Sequence, residues 1–226
     1  MVQIQHIMGH IIERINNEKD WHTGRSKGIG GSDVASLLGL NPYKNNVELW
    51  REKTGRAKSE DISRKPCVIY GKKAEEYLRE LFKLDYPQYE VTHSPYDLHI
   101  HKDFNFIRAS LDGELLEVKT ALKGIFECKT TEIRRAQDWK KWDKKIPMNY
   151  FCQVLHYFII DSDYQFCKLK AQIKHTVGDE TQLTTKHYHI LREKHTSDIN
   201  YLLEKECEFW HYVEKDKEPP LILPNI

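Results

Sequence analysis

Residues 124–131 read GIFECKTT, and the two charges inside that run decide how the chain folds. Ile125, Phe126, Cys128 and Thr130 suit a buried or half-buried strand. Glu127 and Lys129 interrupt it with opposite charges two residues apart. Strand side chains alternate between faces, so Glu127 and Lys129 point one way and Phe126, Cys128 and Thr130 the other. Two readings fit this spacing: an exposed ion pair of little energetic weight, or a pair held on one face for chemistry. The turn KTALKG (119–124) leads back to a strand containing ASLDGEL (109–115). A hairpin there brings Asp112 beside Glu127, and Gly113 lets the backbone bend or be closely approached. Two carboxylates gathered at a sheet edge call for a counter-ion. Oxygen ligands suit Mg²⁺ or Mn²⁺. A second pair of the same form, Glu117-Val118-Lys119, lies on the Asp112 strand, five residues on. Asp112 and Glu117 would face opposite sides, which favours Glu127 and Lys129.

The rest of the chain places helices around these strands. GIGGSDVASLLGLNPY (28–43) reads as a glycine-rich turn, an N-cap at Ser32, a short helix and a stop at Gly39. NVELWREKTG (46–55) makes a second helix. GKKAEEYLRELFKL (71–84) carries apolar residues at 74, 77, 78, 81 and 82, the stripe of an amphipathic helix. On that helix Glu75 lies at the edge of the apolar arc, and Glu76 points to solvent. YEVTHSPYDLHIH (89–101) and FIRASLDGELLEV (106–118) read as strands, followed by a basic, irregular stretch at 131–147. MNYFCQVLHYFIID (148–161) is an apolar helix on which Tyr150, Gln153 and Tyr157 share one edge. Two alternating strands (164–177 and 181–193) join at Gly178-Asp179, and a last helix (197–215) ends before Pro219-Pro220. The expectation is a single-domain α/β sandwich around a mixed central sheet.

Composition narrows the function classes. The 226 residues carry a formal net charge of +1, so global charge does not advertise a nucleic-acid binder. Locally, Lys119–Lys145 holds nine Lys/Arg against four Asp/Glu, which suits a polyanion bound centrally or a solvated face. Five cysteines without a CxxC pair argue against a disulfide framework and a zinc ribbon, and an iron–sulfur cluster is not expected. His99/His101 and His187/His189 are i,i+2 pairs without a third ligand of proper spacing and read as structural. GIGGSD is not a dinucleotide fingerprint. The first residues lack a signal peptide's pattern and no apolar stretch is long enough to span a membrane, so a soluble cytoplasmic protein is expected.

Asp112, Glu127 and Lys129 in LDG…ECK match the PD-(D/E)xK nuclease pattern. Five blocks in order resemble its YqaJ and lambda-exonuclease branch: residues 21–55, GKKAEEYL (71–78), the LDG…ECK hairpin, IPMNYFCQVLHYFII (146–160) and CEFWHYVEKDKEPP (207–220). The one departure is Leu111, where the family usually has Pro. The resemblance implies a restriction-endonuclease-like core spanning residues 1–226 as one nuclease domain. It implies a metal-dependent 5′→3′ exonuclease on linear double-stranded DNA, leaving 3′ overhangs for phage or prophage recombination by strand annealing. Asp112, Glu127, the Cys128 carbonyl and Glu75 would hold Mg²⁺, for which Mn²⁺ substitutes. Lys129 would position or help deprotonate the attacking water, Gln153 would reach the site, and Arg25 and Ser32 would hold the 5′-phosphate. The implied partners are duplex DNA ends, a single-strand annealing protein of the RecT or Red-beta type and, by analogy, two further copies in a ring trimer, with no membrane. A PD-(D/E)xK endonuclease and a catalytically inactive DNA-binding module are the alternatives.

Overall fold

The computed structural model describes residues 3–6 and 9–223. In chain order the elements are β1 (Gln3–His6), β2 (His10–Arg14), α1 (Glu18–Ser26), α2 (Val34–Leu37), α3 (Asn46–Lys53), α4 (Pro66–Asp85), β3 (Tyr89–Thr92), β4 (Asp97–His101) and β5 (Arg108–Ala109). There follow β6 (Gly113–Glu117), β7 (Lys123–Ile133), α5 (Met148–Ile160), β8 (Tyr164–Val177), β9 (Glu180–Leu191) and α6 (Thr196–Glu214), with 3₁₀ turns at Ala136–Lys141 and Arg192–His195. No helix among the described residues is long and apolar enough to cross a membrane.

The main sheet has the order β3-β6-β7-β8-β9, with β7 and β8 parallel and every other pair antiparallel. A parallel pair needs a long crossover, and here that crossover carries α5. Ile125, Ile133, Leu169 and Ile173 share one core with Val154, Leu155 and Phe158 of α5, and α6 packs against α5, adding Ile199, Leu202 and Phe209 to the same core. On the opposite face Phe126, Cys128, Leu115 and Phe166 pack against Leu78 and Phe82 of α4. Because helices cover both faces, β7 is continuously buried from Gly124 to Cys128. The mixed sheet between helices is the expected architecture.

Three local expectations are corrected. The first concerns α4, where only part of the anticipated stripe is buried: Tyr77 is 69% and Leu81 48% exposed. The helix meets the sheet along the row Ala74, Leu78 and Phe82, and no second layer covers its flank. The second concerns the segments 89–101 and 106–118. Each is two strands in two different sheets, because β4 and β5 join β1 and β2 in a separate antiparallel sheet of order β1-β2-β4-β5. Pro95 cannot donate to a ladder, and Tyr96 adopts φ +67° in the turn that ends β3. Between β5 and β6, Ser110–Asp112 crosses from one sheet to the other. Its polar groups are held by side chains instead: Trp21 Nε1 donates to Ser110 Oγ (2.9 Å) and Arg79 Nη1 to the Asp112 carbonyl (2.9 Å). The third concerns the glycine-rich turn. The N-cap position of α2 is Asp33, not Ser32, and it makes no side-chain cap bond. The Asp33 carboxylate accepts from the Gly30 N–H (3.0 Å) and pairs with Lys53 (2.7 Å), closing the turn and leaving the Ser32 hydroxyl free to meet Arg25.

A buried polar clamp fastens α5 to α6. His156 Nδ1 lies 2.7 Å from Glu206 Oε1 and Nε2 lies 2.9 Å from the Arg108 carbonyl, with both side chains inaccessible to solvent. A carbonyl only accepts, and an ionised Glu206 would only accept too, so this geometry suits a doubly protonated imidazolium. Burial alone would lower the His156 pKa, but Glu206 and the Arg108 carbonyl outweigh it and raise it.

Candidate active site

The site opens where the two sheets part. β6 pairs with β7 as far as Gly113↔Phe126, and from Glu127 to Ile133 no strand among the described residues pairs with β7 on that edge. Asp112, one residue before β6, extends that register opposite Glu127. Its Oδ2 accepts from the Cys128 N–H (2.9 Å) and lies 3.4 Å from Cys128 Sγ. The N–H and C=O of a strand residue point to the same side, so the Cys128 carbonyl faces this opening too.

On the α5 side of the strand, Lys129 Nζ lies 2.6 Å from Glu127 Oε1, as alternation requires. Gln153 sits between them. Its Oε1 accepts from Lys129 Nζ (3.0 Å), and its Nε2 donates to Glu127 Oε1 (3.2 Å) and to the Tyr157 hydroxyl (2.5 Å). Lys129 Nζ also stands 4.9 Å from the centre of the Tyr150 ring. Glu127, Gln153 and the Tyr150 ring thus fix the ammonium from three sides, and Tyr157 holds the Gln153 amide.

From the other face, α4 brings Glu75 into the field of Asp112 and Lys129. Glu76, one residue on, is exposed. Three carboxylates, Glu75, Asp112 and Glu127, therefore gather around the Lys129 ammonium, with Arg79 and Lys72 of α4 acting on Glu75 as well. Burial, reinforced by Asp112, pushes Glu127 up to about 8 and Glu75 up to about 7. Burial works against the Lys129 charge, but Glu127 and Asp112 outweigh it and hold its pKa above the ordinary lysine range. Glu127 is 1% exposed, and its second oxygen, Oε2, is buried without a hydrogen-bond partner. Three clustered carboxyls, two of them held back from ionising by burial and by the neighbouring Asp112 charge, an unpartnered carboxylate oxygen and an adjacent backbone carbonyl fit a hard, oxygen-liganded divalent cation.

Arg25 and Ser32 adjoin this cluster. Arg25, in the last turn of α1, stacks over Trp21 (4.6 Å to the ring centre) and its Nη2 donates to Ser32 Oγ (3.4 Å). The glycine-rich turn rests directly on α5: a Cβ at Gly31 would lie 2.9 Å from both Gln153 Cγ and Tyr157 Cε1. Only glycine permits that approach. Lys119, by contrast, is exposed in the turn after β6, and Glu117 accepts from Thr120 Oγ1 (2.5 Å). Two contributors were given no role in the sequence reading. Arg79 lies four residues beyond Glu75 on α4, and Trp21 four residues before Arg25 on α1, a spacing that puts each pair on one helix face and could have revealed both.

Residues 20–165 match the family described as the YqaJ-like viral recombinase domain. The chain is 30% identical over 195 residues to the uncharacterized protein YqaJ of Bacillus subtilis strain 168, covering 85% of this chain and 55% of that protein. It is 39% identical over 64 residues to protein D345L of African swine fever virus (strain Badajoz 1971 Vero-adapted), covering 28% of this chain and 18% of that protein. It thus spans about half the length of the Bacillus relative and under a fifth of the viral one. Among solved structures, the alkaline exonuclease LHK-Exo of Laribacter hongkongensis matches with a TM-score of 0.61 at 16% identity, over 88% of this chain and 94% of that one. Its complex with dAMP matches with a TM-score of 0.54 at 15% identity, over 88% and 98%. The fold is that of the alkaline exonucleases, a restriction-endonuclease-like one, and by its sequence the chain belongs to the YqaJ-like viral recombinase domain family.

Proposed function

We propose that this protein is a divalent-metal-dependent deoxyribonuclease that degrades the 5′-ended strand of linear duplex DNA and leaves a 3′ overhang. The observation that carries the reading is the buried, unpartnered Glu127 Oε2 set between Asp112 and the Lys129 ammonium. Asp112, Glu127 and the Cys128 carbonyl would hold the first ion, Mg²⁺ or Mn²⁺, and Glu75 would reach it from α4. When bound, the ion lowers the pKa of water and stabilises charge on the phosphodiester oxygens.

The chain's own groups do the positioning. Lys129, fixed by Gln153 and Glu127, directs its remaining N–H toward the opening and orients the attacking water. Gln153 keeps Lys129 and Glu127 in register, and Tyr157 holds the amide in turn. Arg25 and Ser32 bind the terminal 5′-phosphate through charge-assisted hydrogen bonds. Since the Asp33 carboxylate already occupies the Gly30 N–H and α2 is a single turn, Arg25 supplies most of that attraction.

We place the enzyme in the bacterial cytoplasm, in phage or prophage recombination, with residues 1–226 acting as one nuclease unit. An annealing protein of the RecT or Red-beta type would take up the overhang, and a ring trimer would enclose the duplex. The family membership and the alkaline-exonuclease fold support this setting. The decisive experiment incubates the protein with linear and closed circular duplexes, with Mg²⁺ or with EDTA. Loss of linear DNA alone, only with metal, is expected. Cleavage of circles would make it an endonuclease, and DNA binding without metal-dependent loss would make it an inactive module.

A further inference from the structure

A second group of metal-ligating side chains lies away from the Glu75, Asp112 and Glu127 carboxylates. His10 on β2, His99 on β4 and Glu114 on β6 each present one ligand atom within 4.8 Å of the others. Both histidines are buried. His10 Nε2 and His99 Nδ1 face each other at 2.9 Å. Two bonds of about 2.05 Å at the tetrahedral angle place ligand nitrogens about 3.3 Å apart, so the rings need to part by only a few tenths of an ångström to share an ion.

Their surroundings are those of an oriented metal ligand set. His10 Nδ1 lies 2.8 Å from the buried Asp161 Oδ2, so it carries the proton and turns the Nε2 lone pair toward His99. A carboxylate behind a histidine in this way fixes the tautomer and raises the basicity of the ligating nitrogen. Asp161 is itself held, its Oδ1 accepting from the Asp163 N–H (2.9 Å). Gly9, at φ +117°, leaves room for it: a Cβ there would lie 2.1 Å from Asp161 Oδ1. Glu114 Oε1 accepts from the Tyr164 hydroxyl (2.5 Å). His99 and Glu114 both line a cavity of about 270 Å³, which gives access and room for a water as fourth ligand.

We propose that His10, His99 and Glu114 form a zinc site distinct from the catalytic one. In the metal-free protein a single proton lies between the rings, on His99 Nδ1, donated to His10 Nε2. The ion takes its place, and the His99 proton moves to Nε2, facing the cavity. The two histidines belong to the smaller sheet and Glu114 to the larger. The ion would therefore clip the sheets together across the Ser110–Asp112 crossover, two residues from Asp112.

The test uses full-length protein carrying Asp112→Asn and Glu127→Gln, which removes two of the catalytic carboxylates, titrated with Co²⁺ and then Zn²⁺. We expect one equivalent of Co²⁺ with the strong visible absorption of a four-coordinate site, displaced by Zn²⁺. Free Zn²⁺ at 100 times its Kd should raise the melting temperature by about 5–10 °C. Adding Glu114→Gln, which preserves side-chain volume at a half-buried position, should weaken Co²⁺ binding by at least roughly tenfold; His99→Asn should do the same. If the double variant binds no stoichiometric Co²⁺, or if Glu114→Gln leaves binding unchanged, the three residues are a hydrogen-bonded linkage between the sheets and the metal site is refuted.

Discussion

Replacing Glu127 by Gln tests the electrostatic account of the cluster without asking for activity. In the metal-free protein its carboxyl titrates at about 8, against about 4.3 to 4.5 for an unfolded chain. A raised pKa means that the folded state binds the proton more tightly. The stabilisation is therefore complete below about pH 4.5 and is lost as the pH rises toward 8. At pH 7 the unfolded chain gains roughly 3 kcal/mol from ionising this residue that the folded protein does not; at pH 5 the gain is under about 1 kcal/mol. Glutamine resembles the protonated acid in shape and does not titrate. Glu127→Gln should therefore raise stability in EDTA by roughly 3 kcal/mol at pH 7, about 6–12 °C in melting temperature for a chain of this size, and by little at pH 5. With saturating Mg²⁺ the order should reverse, because only the wild type gains binding energy from the ion. Thermal melts of both proteins at the two pH values, with EDTA and with Mg²⁺, supply the measurement. A lower melting temperature for Glu127→Gln in EDTA at pH 7 would show that the Lys129 ion pair outweighs burial and Asp112, and the reasoning would fail.

Cleavage assays on purified, folded variants should separate Lys129→Ala, inactive, from Lys119→Ala, close to wild type; the opposite result would put the chemistry on the wrong strand. Glu75→Ala should slow cleavage far more than Glu76→Ala, and equal rates would remove Glu75 from the site. Wild type should digest 5′-phosphorylated ends roughly thirty- to a hundredfold faster than 5′-hydroxyl ends, the equivalent of about 2–3 kcal/mol. Arg25→Ala should erase that preference by slowing only the phosphorylated substrate, and equal slowing of both would make Arg25 a general contact. Glu206→Ala should destabilise the fold by about 3–5 kcal/mol in urea melts by leaving His156 as a buried, unpaired cation; a loss under about 1 kcal/mol would mean that the imidazole sits there neutral.

The sequence by itself determined the strand that carries the proposed site and its neighbours in the helices. Alternation put Glu127 and Lys129 on one face, and helical spacing chose Glu75 over Glu76 and aligned Tyr150, Gln153 and Tyr157. Those are local periodicities, set by the backbone's own geometry and therefore present in any short window. Only the tertiary structure decided that Gln153 touches both Lys129 and Glu127, because that contact depends on how the crossover seats α5 on the sheet. It also decided that the chain breaks at Tyr96 and at Ser110–Asp112 to feed a second sheet, a choice made by long-range pairing of β4 with β2. The same pairing explains the histidines. An i,i+2 pattern on one strand gave no third ligand, whereas the fold brings His99 to His10 across 89 positions of sequence and both within reach of Glu114. Strand periodicity fixes which way a side chain points; what it meets there depends on partners drawn from the whole chain.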